Sequence, residues 1–162
     1  MTLIGLVGRA RSGKDTVASL IGLPILKLAK PVKDAVRVLY GWTDVHIEGP
    51  LKDTLDPKFD ITPREAMIHI TNTMKKLHGI DFFSNRFMDQ WDGKSGIITD
   101  VRYQVDAEIL RLKGAVIIRI ERPGCSFHPH EDSLENIRAD YVIRNDGTVS
   151  DLTHRIHEFL NR

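Results

Sequence analysis

A chain of 162 residues, 41% hydrophobic and 28% charged, has ordinary globular composition and leaves no room for a second full domain. With 23 Lys and Arg against 22 Asp and Glu, no bulk positive field argues for nucleic-acid binding, so any basic function must be local. Cys125 is the single cysteine and excludes an intrachain disulfide, while the lack of a charged-then-apolar leader or an 18-residue apolar run makes a cytoplasmic location with no membrane partner the expectation.

The apolar run 2–7 predicts a buried strand, and it leads directly into Gly8, Arg9, Ala10, Arg11, Ser12, Gly13, Lys14, Asp15 and Thr16. Two glycines five residues apart, followed by lysine and a helix-compatible stretch 16–21, make a phosphate cradle. Gly8 and Gly13 let successive backbone N–H groups face phosphate oxygens, the helix N-terminus adds positive partial charge, and Lys14 reaches the outer phosphates. The expected ligand is a nucleoside triphosphate. The position after the lysine, ordinarily Ser or Thr, holds Asp15. Its carboxylate is a hard oxygen ligand for Mg²⁺, directly or through water, at the cost of a negative charge beside an anionic ligand. Thr16 lies about 100° further round the helix, where its hydroxyl and N–H face the α-phosphate.

Residues 24–29 read as a short strand, and Pro31 starts a helix over 32–40 that Gly41 closes. The stretch 42–61, rich in Gly, Pro and Asp, reads as an irregular surface excursion. Thr62 and Glu65 have capping-box spacing around Pro63, predicting a helix to His78 with Met67, Ile70, Met74 and Leu77 on one face and Gly79 as its stop. A further helical piece covers 82–91. Then follow a strand over 96–99 ending at Asp100, a helix over 105–113 closed by Gly114, and strands over 115–120 and 140–144. Thr148 and Asp151 cap a last helix whose Val149, Leu152, Ile156 and Phe159 share a face. Strands alternating with helices make an α/β fold: a parallel sheet of about five strands, helices on both faces, ligands at the carboxyl ends of the strands.

Asp100 stands where its strand runs out, on the edge expected to hold the cradle, and Arg102 follows two residues later. The carboxylate suits magnesium's water shell and the guanidinium suits a phosphate. The plain alternative is an Asp that caps the next helix with Arg102 as its surface partner. Arg64, in the first turn of its helix, is placed to grip a second phosphate, although most exposed first-turn arginines do not, and Lys30 and Lys33 flank a helix start on the ligand edge, where a solvated helix face is the plainer reading. The long connection from Arg122 to Arg138 is polar and reads as a lid that would close over transferring phosphates, or as a tolerated surface loop. His128 with His130 and His154 with His157 lack the Cys or carboxylate company of a zinc site. Trp42 and Trp91 read as packing residues.

Taken together, these residues resemble the phage-type deoxynucleoside monophosphate kinase family, within the wider P-loop nucleoside-monophosphate kinase fold. The likeness runs through the cradle with its Gly13-Lys14-Asp15-Thr16, the Lys30-Pro-Val-Lys33 helix start, Thr62-Pro-Arg-Glu65, Thr99-Asp-Val-Arg102, Arg119-Ile-Glu-Arg-Pro-Gly124 and Asn145-Asp-Gly-Thr148. It implies a three-layer P-loop kinase domain over 1–162, with core 1–41 and 94–162, a helical monophosphate-binding insertion over 42–93 and a lid over 122–138. It also implies Mg²⁺ as cofactor, ATP as donor, a deoxynucleoside monophosphate as acceptor and a homodimer. In this reading Lys14, Asp15, Asp100, Arg102 and Arg122 are catalytic. Gly8, Arg11, Ser12, Gly13, Lys14, Asp15, Thr16, Asn145 and Gly147 hold ATP. Lys33, Arg64, Arg102 and Arg138 hold the acceptor, and Asp15, Thr16 and Asp100 serve the metal. A phosphomevalonate or dephospho-CoA kinase would keep the fold and change the acceptor, and a non-catalytic nucleotide-binding module would keep only the cradle.

Overall fold

The computed structural model describes residues 2–125 and 132–161. Its strands are β1 (Leu3–Val7), β2 (Ile25–Leu26), β3 (Gly96–Ile98), β4 (Val116–Glu121) and β5 (Tyr141–Arg144). Its helices are α1 (Lys14–Ile21), α2 (Lys30–Tyr40), α3 (Asp44–Ile47), α4 (Pro63–His78), α5 (Phe82–Gln90), α6 (Gln104–Arg111), α7 (Asp132–Glu135) and α8 (Val149–Leu160), with a 3-10 turn at Pro50–Asp53. The chain divides into two compact units, Met1–Leu28 with Ser84–Arg162, and Ala29–Phe83.

The first unit is built on a five-stranded sheet in the order β2-β3-β1-β4-β5, with every pairing parallel, as the alternation of strands and helices predicts. Continuous apolar runs suit strands covered on both faces. Leu3, Val7, Ile98 and Ile117 pack on one face with Ala107 and Leu110 of α6. Ile4, Leu6, Ile97, Ile118 and Ile143 pack on the other with Val17 and Ala18 of α1 and Leu152 and Ile156 of α8. Side chains of this size contribute about 1.5–3 kcal/mol each when fully buried, so the central strands dominate the stability of this unit.

Two residues of the expected helical faces are left uncovered. Val149 is 63% exposed, because it opens α8 one turn before the helix reaches the sheet, and Leu77 is 67% exposed near the end of α4. Helical periodicity marks a face but does not say how far along a helix that face is covered. β2 is two residues long where six were expected: it bonds only to β3, and Ile25 is 48% exposed at the sheet edge.

The second unit corrects the reading of 42–61 as an irregular surface excursion. Trp42 and Ile47 are buried there with Val36 of α2 and Ala66 of α4, and Tyr40, Phe59, Ile61, Met67 and Ile70 pack around them. Tyr40 stacks on Trp42 at 4.2 Å, and the Trp42 indole N–H donates to Asp56 Oδ2 at 2.6 Å. That hydrogen bond holds the Asp56 carboxyl below the usual range. Trp91 packs against the core of the first unit with its N–H on Lys94 O at 2.9 Å. Both tryptophans are packing residues, as expected. Helix α4 begins as predicted: Thr62 Oγ1 accepts from Glu65 N, Glu65 Oε2 accepts from Thr62 N at 2.9 Å, and Pro63 occupies the first turn.

Candidate active site

The cradle follows β1, and its geometry explains its residues. A Cβ on Gly8 would lie 2.6 Å from the Ile120 carbonyl and 2.7 Å from Ser12 Oγ, so the backbone passes where no other residue fits. Gly13 has φ 99 and is the N-cap of α1, and a Cβ there would run into the Asn145 amide. Arg11 is held at φ 63, in the left-handed region of which anion-binding backbone nests are made. No side chain caps α1, so the open donors of its first turn face the loop. Lys14 Nζ donates to the carbonyls of Gly8 at 2.6 Å and Arg9 at 2.8 Å, which lays its ammonium across the cradle. Ser12 is 1% exposed, and its hydroxyl has no hydrogen-bond partner among the described residues. Such an orphan is uncommon in a folded protein and fits an oxygen supplied from outside. Asp15 and Thr16 are exposed on the first turn of α1.

Asn145 closes the cradle from the far end of the sheet. Its side-chain amide donates to Ser12 O at 2.9 Å, and its backbone N–H donates to Glu121 O at 2.7 Å. Gly147 has a local reason: a Cβ there would lie 2.6 Å from Asp151 Oδ2, the carboxylate that caps α8.

At the end of β3, Asp100 Oδ1 accepts the Leu28 N–H at 3.0 Å. Asp106 is the residue at the start of α6 that takes backbone donors: its Oδ2 accepts from Arg102 N at 3.2 Å and Tyr103 N at 3.0 Å, and its other oxygen accepts from Ser84 Oγ. The capping box at the start of α6 is thus made by Asp106 with Tyr103 as N-cap. Arg102 is exposed, and its carbonyl accepts from Ser133 Oγ at 2.7 Å, so its backbone is held on both sides while its side chain points to solvent.

A cleft of about 440 Å³ opens beside the cradle, lined by Gly8, Arg9, Ser12, Arg119, Arg122 and Arg144 among others. Arg9 pairs with Glu135 of α7 at 2.6 Å, and Arg119 Nη2 donates to the carbonyls of Leu134 at 3.0 Å and Ile137 at 2.5 Å. The returning limb of the expected lid is thereby tied to β4 and to the cradle. Arg155 pairs with Asp146 at 2.6 Å and holds that carboxyl below its ordinary value. Arg138 stands outside the cleft lining, with its backbone bonded to Gln104 and Arg111. Residues 126–131 of the lid, including His128 and His130, lie outside the described residues.

The second unit carries the other expected phosphate contacts. Arg64 presents its guanidinium fork to Asp53, with Nη2 to Oδ2 at 3.0 Å, and that pairing raises the Arg64 pKa. Lys33 is paired with Glu48. Both cations are thus engaged by carboxylates, the side chains nearest to a phosphate in shape and charge.

Sequence reasoning gave no role to Arg9, Arg119 and Arg144, which line this cleft, nor to Asp106, which holds the start of α6. The signal for Arg119 was available: it is the one charged residue inside the run 115–120, where a parallel strand admits a charge only for a purpose. Asp106 gave none, because a helix-start aspartate looks the same whether exposed or 5% exposed. For magnesium, Asp15, Thr16 and Asp100 offer hard oxygens suited to an ion that keeps most of its waters and shares substrate phosphates. Among the described residues no three His, Cys, Asp or Glu side chains form a ready metal cage, and no helix is long and apolar enough to cross a membrane.

Comparison with known proteins bears on this arrangement. The family profile of deoxynucleotide monophosphate kinases matches residues 67–156. A putative deoxynucleotide monophosphate kinase of Acanthamoeba polyphaga mimivirus is 31% identical, with 96% of this chain and 94% of that protein covered. The deoxynucleotide monophosphate kinase of Escherichia phage RB69 is 23% identical over 99% of this chain and all of its own length. Among solved structures, dephospho-CoA kinase from Campylobacter jejuni is similar in fold, with TM-score 0.52 at 13% identity, covering 99% of this chain and 96% of that one. A glycine cradle at the rim of a 2-3-1-4-5 parallel sheet, the family profile over more than half the residues and a relative alike from end to end lead to one assignment: the chain belongs to the deoxynucleotide monophosphate kinase family of enzymes.

Proposed function

We propose that the chain transfers one phosphoryl group from ATP to a deoxynucleoside monophosphate with the help of Mg²⁺. The observation that carries this reading is the cradle itself. An uncapped helix N-terminus, a lysine across the loop and a buried hydroxyl without a partner converge on one spot, and a polyphosphate satisfies all three. The names of the viral relatives support the acceptor class.

In this reading Gly8, Arg11, Ser12 and Gly13 surround the donor phosphates, Lys14 bridges the outer ones, and Asn145 with Gly147 lies beside the adenine. An oxygen of the acceptor phosphate forms the new bond to the γ-phosphorus as the bond to the bridging oxygen of ADP breaks. The attacking oxygen is already anionic, so no base is required. The protein's work is alignment and countercharge. Lys14, Arg102 and Arg122 supply countercharge, with charge-assisted hydrogen bonds contributing about 1.5–3 kcal/mol each. Lys33, Arg64 and Arg138 are the proposed acceptor contacts. Asp15, Thr16 and Asp100 would hold Mg²⁺, directly or through water, and the ion would supply positive charge beside the transferring group.

The test is ADP release from purified protein with ATP and Mg²⁺ against a panel of deoxynucleoside monophosphates and phosphate-free alcohols. Turnover with at least one monophosphate and none with the alcohols is expected, whereas turnover confined to alcohols overturns the acceptor class. Lys14→Ala should lower kcat/KM by about 10²-fold or more with the melting temperature unchanged. A rate within a few-fold of wild type removes Lys14 from its role.

A further inference from the structure

We infer that Lys27, at the carboxyl end of β2, is a substrate-binding residue that reads the anionic oxygens of a phosphate acceptor, an inference that rests on the transfer reaction proposed above. The sheet register sets its place. Leu26 pairs with Ile98, so Lys27 comes level with Thr99 and Leu28 with Asp100, while Gly5 of β1 also pairs with Ile98, which brings Asp100 level with Val7 at the mouth of the cradle. Lys27 therefore stands on the same rim, two strand spacings or about 10 Å from β1. Arg119, Arg122 and Arg144 line the cleft on the β4 and β5 flank of the cradle. In-line transfer places donor and acceptor on opposite sides of the γ-phosphorus. With the donor's nucleoside on the β4 and β5 flank, the acceptor belongs on the β3 and β2 flank, where Lys27 is.

The electrostatics of Lys27 point the same way. The side chain is half-buried, and its ammonium donates to Thr99 Oγ1, a neutral hydroxyl on a residue only 4% exposed. Among the described residues no carboxylate pairs with Lys27, although Lys30, Lys33 and Lys94 each have one. A partly desolvated ammonium with a single neutral partner keeps two of its three donors and its whole charge for an anion. Its sign also selects the acceptor. An alcohol must lose a proton during attack and calls for a base at this place, whereas an ionised phosphate monoester calls for a cation.

Lys27→Gln keeps a donor for Thr99 and removes the charge, and Lys27→Arg keeps the charge. The Gln variant should raise KM for the deoxynucleoside monophosphate at least tenfold with KM for ATP within twofold, and the Arg variant should recover most of that loss. In the wild type, saturating monophosphate should slow reductive methylation of Lys27, read by mass spectrometry, and ATP alone should not. An unchanged acceptor KM in a folded Gln variant, an equal rise in both KM values, or methylation indifferent to the monophosphate overturns the inference while leaving the transfer reaction standing. Wild-type protein that turns over no monophosphate overturns the reaction, and this inference with it.

Discussion

Ser12 is a residue whose worth changes sign with the ligand. Its buried hydroxyl has no hydrogen-bond partner among the described residues, a condition that costs about 1–3 kcal/mol. Ser12→Ala should therefore raise the thermal stability of the free protein, by about 1 kcal/mol, and weaken ATP binding by about fivefold. Thermal melts with and without ATP check both signs, and a variant less stable without ligand would show that the hydroxyl is already satisfied. Asn145 acts differently, through a bond to the Ser12 carbonyl. Asn145→Ala should raise KM for ATP and leave KM for the acceptor alone, as steady-state kinetics can show. The places of Gly8, Gly13 and Lys14 in a cradle after β1 were legible because a cradle is written in local spacing, and Asp100 stood out at the end of an apolar run, whereas Asn145 came only with the family resemblance. Lys27 was not legible, because what distinguishes it is Thr99 on the neighbouring chain segment, and Arg119 was legible only as a charge inside an apolar run, since its partners, the Leu134 and Ile137 carbonyls, are distant in sequence.

Helices α4 and α8 begin with the same reciprocal cap, Thr62 with Glu65 and Thr148 with Asp151. The Thr62 backbone N–H holds the Glu65 carboxyl below its ordinary 4.5, and the Thr148 hydroxyl and N–H hold Asp151 below 3.8. A carboxyl whose folded pKa is depressed contributes stability that is complete above the unfolded value and is lost as pH falls through the folded one. The melting-temperature gap between wild type and Glu65→Ala should therefore be flat above pH 4.5 and close below it. A gap that widens on acidification contradicts this assignment. Both caps were legible because a capping box is written in four consecutive residues. The short β2 and the buried Trp42 were not. An edge strand stops where its single neighbour stops, and the composition of 42–61 carries Gly, Pro and Asp enough to mask a small core around one tryptophan.

At the scale of the whole molecule, the parallel sense of the five strands followed from the alternation of elements, whereas the strand order and the division into two compact units are matters of which groups meet at long range. A ligand that binds only the folded chain stabilises it by about 2.7 kcal/mol at a hundredfold excess over Kd. ATP at that excess should raise the melting temperature by several degrees, and Gly13→Ala, which forces a Cβ into the Asn145 amide, should abolish the rise. Calorimetric scans with and without ATP decide it. The Asn145 strap also joins residues 133 positions apart, the loop after β1 to the residue that follows β5. A ribosome must deliver the chain through Asn145 before that clasp can shut, so any growing polypeptide shorter than that lacks a finished cradle.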